Sequence, residues 1–227
     1  MAQLKKISEK FVLLCEGQHD SQFFSYLITH YNLPKFEICS VNFVLGENHG
    51  GDTRFTEALD ELPSIPGFER VERVLIVADN DLAPDDAFNR VVKSINATAD
   101  ILGPPASRFS APPAPRQIIG ESPKVAVLMM PATGINGSLS TICWTAANNA
   151  AGSDSACVDE FAQCTGANAW PITKLAKMKL RALISGTHQK QPDLSVAYVW
   201  SKGTNIVPLS DPVFYDVRDF LINFPNL

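Results

Sequence analysis

The sequence predicts an α/β fold, a mostly parallel sheet flanked by helices, with additional helices towards the C-terminus. Three observations carry this. Lys10–Cys15, Arg73–Ala78 and Lys124–Met130 are short, nearly continuous apolar runs, the pattern of strands covered on both faces. Between them lie stretches with helical spacing: Phe23, Phe24, Leu27 and Ile28 within His19–His30, and Ala87, Phe88, Val91, Val92 and Ile95 after Pro84. Strand and helix alternate in the order β-α-β-α-β-α, which implies parallel strands joined by right-handed crossovers.

The remaining elements follow in chain order. Phe36–Leu45 partly alternates polar and apolar residues and predicts a second strand. Gly46–Asp52, with Gly50-Gly51, predicts a turn, and Thr53–Leu62 a helix capped by Asp52 or Thr53 and ended by Pro63 and Pro66. Gly103–Pro115 contains five prolines and predicts a surface connection or lobe boundary. After Met130-Pro131 and a turn at Gly134–Gly137, helices are expected at Leu139–Asn149, Val158–Cys164 and Ile172–Ile184, with a turn at Ala150–Ser155. Pro212–Phe224 is amphipathic, with Val213, Phe214, Val217, Phe220 and Leu221 on one face. The expected organisation is a single domain over residues 1–227: a core, 8–131, and a helical C-terminal extension, 132–227, packed on it.

Composition excludes several classes. With 227 residues, 45% apolar and 19% charged, the chain is an ordinary globular sequence rather than a disordered one. The net charge of −5 gives no support to nucleic-acid binding by bulk charge, although Lys174, Lys177, Lys179 and Arg181 form a local basic stretch or the solvated face of a helix. Five cysteines with no C-x-x-C spacing argue for reduced thiols and against a common zinc site. No apolar run approaches the ~20 residues of a membrane span, and the N-terminal run is too short for a signal segment. A cytoplasmic protein with no membrane partner is expected.

Functional groups of a parallel sheet gather at the carboxyl ends of its strands. Two expected strands end in acids: Cys15-Glu16-Gly17-Gln18-His19-Asp20 and Val77-Ala78-Asp79-Asn80-Asp81. Like charges crowded at strand ends are costly, and a divalent cation offsets that cost. In an extended segment, Asp79 and Asp81 point to the same side, and with a third carboxylate from the neighbouring strand they make a hard oxygen site for Mg²⁺ or Mn²⁺. The competing reading is that both aspartates cap the helix starting near Ala83.

Phe11–Asp20 and Val74–Asp81 together resemble the Toprim domain of topoisomerases, bacterial primases, recombination-repair proteins and nucleases of the overcoming-lysogenisation-defect family. The remainder, particularly Thr133–Leu227, is similar in overall layout to standalone bacterial proteins of unknown function with a Toprim-like, Rossmann-like fold. The resemblance implies that Glu16 is a general acid/base or metal ligand and that Gly17 is the glycine that lets the strand turn. It also implies that Asp20 is the further acid of the nuclease branch, and that Asp79 and Asp81 are the metal-binding pair. It further implies Mg²⁺-dependent phosphodiester processing, with nucleic acid as a partner and a homodimer left open.

Departures from that family pattern are visible. The nuclease branch has another acid after a later strand; the corresponding stretch here is Gly137-Ser138-Leu139-Ser140, with Ser140 at the acid position. Its basic residue could be Lys177 or Lys179. No P-loop, zinc ribbon or G-x-S-x-G elbow is present. Three readings follow: a nuclease-like metal enzyme, a non-catalytic Toprim-like binding or regulatory module with a degraded site, and a phosphoryl-accepting domain using Asp79. His19, His49 and His188 show no ligand spacing, though His19 lies inside the acidic turn.

Overall fold

The computed structural model describes residues 6–46, 54–102 and 109–227. Its strands are β1 (Phe11–Cys15), β2 (Glu37–Ser40), β3 (Arg73–Asp79), β4 (Ile118–Ile119) and β5 (Lys124–Met130). They form one sheet in the order β2-β1-β3-β5-β4. All neighbours are parallel except β4, which runs antiparallel to β5. The helices, in chain order, are α1 (Gln18–His30), α2 (Val41–Leu45), α3 (Phe55–Glu61), α4 (Pro84–Leu102), α5 (Leu139–Ala151), α6 (Ser153–Cys164), α7 (Ile172–Thr187) and α8 (Tyr215–Asn223).

The strands alternate between two cores, as a pleat with period 2 requires. Register aligns Leu13 with Leu75 and Leu75 with Ala126. These residues, with Cys15, Val77, Leu128 and Met130, pack against α1, α5, α7 and α8 through Phe23, Leu27, Ile142, Leu180 and Leu221, and against Phe214 in the turn before α8. Val12, Leu14, Val74, Ile76, Val125 and Val127 face the other way, onto Phe55, Leu59, Val91 and Ile95 of α3 and α4. Burying each such side chain is worth about 1.5–3 kcal/mol, which explains why the central strands are apolar on both faces. Much of the helical cover of the first face comes from residues after 131. The helices after residue 131 therefore pack directly on the sheet.

Several boundaries differ from the sequence expectation. The second strand stops at Ser40, because Ser40 Oγ accepts a hydrogen bond from Phe43 N at 3.1 Å and caps the short α2. Val41, Phe43 and Val44 carry strand-like side chains, but the cap wins locally. The expected turn at Ala150–Ser155 contracts to Gly152, whose φ of +56° separates α5 from α6. The two-residue β4 has no signature of its own. The expected cap at Asp52 or Thr53, and His49, lie outside the described residues. Among the described residues, no helix is long and apolar enough to cross a membrane.

Candidate functional site

From β1 the chain moves to β2 on one side, and later to β3 on the other, so the strand order reverses between β1 and β3. In open parallel sheets, the crevice at the carboxyl ends of such strands is the usual ligand site. Glu16 follows β1 directly, Asp79 closes β3, and Asp20 sits in the first turn of α1. All three line one cleft of about 350 Å³, together with His19, Ser140, Lys177 and Arg181. The segment Ser195–Ala197 closes another wall.

Backbone donors hold each carboxylate. Glu16 Oε1 accepts from Asp79 N at 3.1 Å, which ties the two strand ends together. Asp79 Oδ1 accepts from Leu139 N at 2.9 Å, at the start of α5. Asp20 Oδ2 accepts from Gly17 N at 2.9 Å, across the start of α1. Helix N-termini carry partial positive charge, so two helices favour anionic groups here.

The acids nevertheless strain against one another. Burial, then the charges of Glu16 and Asp20, push the Asp79 carboxyl well above the ordinary aspartate range; the Leu139 N–H and Lys177 only partly oppose this. Burial also raises Asp20, against the Gly17 N–H and Lys177. Nearby lie the buried thiols Cys15 and Cys143, both raised first by burial and then by Asp20, with Cys39 and Glu16 adding to Cys15 and Asp79 to Cys143. His19 is lowered to about 4, by burial and then by Lys177. Its ring stacks on Trp200 with centroids 5.9 Å apart.

Asp81 is not brought into this cleft. The alternation argument needs an extended chain, but β3 ends at Asp79 and Asp81 has φ +52°. Its side chain is 52% exposed and lies 3.7 Å from Arg90 Nη2. Its backbone pairs with Gly137, through Asp81 N to Gly137 O at 2.8 Å and Gly137 N to Asp81 O at 2.7 Å. The intervening Asn80 is fully buried and donates to the carbonyls of Ala132 and Ile135 at 2.6 and 2.7 Å. This pairing anchors the loop before α5, and with it the Leu139 N–H that meets Asp79.

Gly137 is essential to that arrangement. Its φ is +134°, and an added Cβ would lie 2.8 Å from Thr141 Oγ1. Gly137→Ala is expected to lower stability by about 1–3 kcal/mol, read as a drop in Tm. Gly17 differs: its φ of −148° is ordinary extended backbone, and a Cβ there would meet Asp20 Oδ2 at 3.7 Å, a normal contact. The expectation that glycine is needed at 17 for a tight turn is therefore not met by the backbone.

Helical geometry separates the two candidate bases. Lys177 reaches the cleft, whereas Lys179 pairs with Asp159 at 2.7 Å and lies over the Trp144 ring. Ser140 is buried on the cleft wall, where the family resemblance expects an acid. Sequence reasoning missed the Ser195–Ala197 wall, which has no local signal because it is set by packing of distant segments.

A family model described as a protein of unknown function (DUF3226) matches residues 10–224. The chain belongs to the DUF3226 family. The matched span runs from the start of β1 to the end of α8 and includes every cleft residue named above. No curated protein and no solved structure matches it.

Among the described residues of this DUF3226 chain, no group of three or more His, Cys, Asp or Glu side chains is arranged so that it could hold a metal ion. Three carboxylates, hard oxygen donors, nevertheless line the one cleft. Mg²⁺ retains several waters and is commonly held by one or two carboxylates, so it does not need an all-protein cage. Glu16, Asp20 and Asp79 supply carboxylate oxygens, and their mutual repulsion is what a dication would relieve.

Proposed function

We propose that the chain is a Mg²⁺-dependent, Toprim-type phosphodiester-processing protein of nuclease-like character. The observation that carries this is the meeting of Glu16, Asp20 and Asp79 with Lys177 in one cleft at the strand-order reversal. When bound, a divalent cation supplies Lewis-acid polarisation of a phosphoryl oxygen and a more acidic bound water. Glu16, Asp20 and Asp79 are the residues that would hold it, with Mn²⁺ as the substitute metal. Glu16 is also placed to take or return a proton, because it stands at the mouth of β1 beside Asp79. Lys177 offers positive charge to the negative charge that develops on a phosphodiester during cleavage. The N-terminus of α5 holds Asp79 in that cleft through the Leu139 N–H.

A second reading, a non-catalytic Toprim-like binding or regulatory module, is favoured by one feature: Ser140 stands where the nuclease branch has a further acid. A single assay separates the two. Hydrolysis of bis(p-nitrophenyl) phosphate by the purified chain is expected with Mg²⁺ or Mn²⁺ and not with EDTA. Asp81→Asn should retain the rate within about threefold, less than 1 kcal/mol of transition-state stabilisation. Cation binding without hydrolysis would reject the enzyme reading in favour of the module. No cation binding would reject the enzyme reading and leave the module, whose metal site is degraded.

A further inference from the structure

Beside the acidic cleft, on the outer face of α6 and α7, lies a groove of about 560 Å³. Its sides include Phe161, Trp170, Lys174, Met178 and Arg181. Lys177 and Arg181 line both the groove and the acidic cleft, so the two adjoin at these side chains. Phe161 and Trp170 are 51% and 50% exposed, unusual for large aromatic side chains with a core available. Lys174, Lys177 and Arg181 recur at i, i+3 and i+7 on α7, which puts them on one helix face. Lys179, between them in sequence, is turned away to Asp159. Among the described residues, no acidic side chain lines the groove.

We propose that this groove is the track by which single-stranded nucleic acid enters the carboxylate cleft, an inference that rests on the phosphodiester reading and names its substrate class. Aromatic faces beside a row of cations are the two components of sequence-tolerant single-strand binding: bases stack on the rings while phosphates follow the charges. Trp170 and Phe161 are the stacking platforms. Lys174 and Arg181 hold phosphates, and Lys177 receives the strand at the cleft. A duplex keeps its bases stacked on one another and cannot use the rings, so the groove selects single strands. The net charge of −5 does not oppose this, because the relevant field is that of the local row.

The test is fluorescence anisotropy of labelled oligo(dT) and of a duplex of equal length, on the full chain in EDTA so that cleavage plays no part. Single strands are expected to bind more tightly than duplex, with log K falling against log salt with a slope of about −2 for three phosphate contacts. Trp170→Ala should weaken oligo(dT) binding by about 5- to 100-fold, and Lys174→Ala/Arg181→Ala should flatten the salt slope, each with an unchanged circular dichroism spectrum. Phe161→Ala provides a second stacking variant should Trp170→Ala fail to fold. Equal affinity for duplex, undiminished binding by the variants, or a Trp170-dependent self-association with no oligonucleotide binding would each overturn the proposal. Hydrolysis of the small diester by the unaltered chain is scored separately. If that fails while oligo(dT) binding behaves as described, the catalytic reading falls and the track stands.

Discussion

Asp79→Asn should abolish divalent-cation binding and phosphodiester cleavage while making the metal-free protein more stable. The two effects have one cause. Asp79 is the most central of the three carboxylates, tied to Glu16 through its own N–H and to α5 through its Oδ1. Asparagine keeps an oxygen able to accept the Leu139 N–H, so the start of α5 stays in place. It loses the negative charge that burial, Glu16 and Asp20 all disfavour. Outer-shell partners of a metal already cost 10–100-fold in affinity or activity, so loss of a direct ligand should cost on the order of 100-fold or more. Titration calorimetry with Mg²⁺ reads this directly. Removing an unfavourable buried charge should raise the Tm of the metal-free protein, by roughly 2–4 °C for each kcal/mol gained in a chain of this size. A variant that binds Mg²⁺ like the parent would remove Asp79 from the site.

The metal-free parent should lose stability, relative to Asp79→Asn, as pH rises from about 4 towards neutral. Asp79 and Asp20 are held above the ordinary value of 3.8, so the folded chain keeps protons that the unfolded chain has already released. Stability therefore falls with pH across this window: the contribution is full below the ordinary value and is lost as pH passes the raised ones. His19 works in the opposite sense. It is depressed from 6.5 to about 4, so its contribution is full above 6.5 and is lost as pH falls towards 4. The difference in Tm between parent and Asp79→Asn cancels most of the His19 contribution and isolates the carboxylate one. Saturating Mg²⁺ should reverse the trend in the parent, because a ligand at 100 times its Kd adds about 2.7 kcal/mol to the folded state. A Tm difference that does not change with pH would mean that Asp79 is not crowded by its neighbours.

How much of this was legible beforehand depends on range. β1, β3 and β5 were plain, because strands buried on both faces must be apolar without interruption. Glu16 and Asp79 were plain for the same reason: each is an acid placed where such a run stops. Lys177 stood in the sequence as one of two alternatives. The choice required knowing that α6 brings Asp159 up to Lys179 and leaves Lys177 towards the cleft. Asp81 shows the converse. Its spacing from Asp79 was suggestive, but one positive φ and a backbone pair with Gly137, 56 positions later, turned it to Arg90.

The sequence alone determined the α/β class, the strands that carry the site and the two acids at their ends. These follow from hydrophobic period and from the cost of charge at a buried strand terminus, both local properties of the chain. Only the tertiary structure decided the rest. It brought Asp20, Ser140 and Lys177 to Glu16 and Asp79, sent Asp81 away, and laid a basic aromatic groove beside the cleft. These outcomes depend on how α1, α5 and α7 pack on one face of the sheet, and a packing of segments more than a hundred residues apart leaves no period in the chain to read.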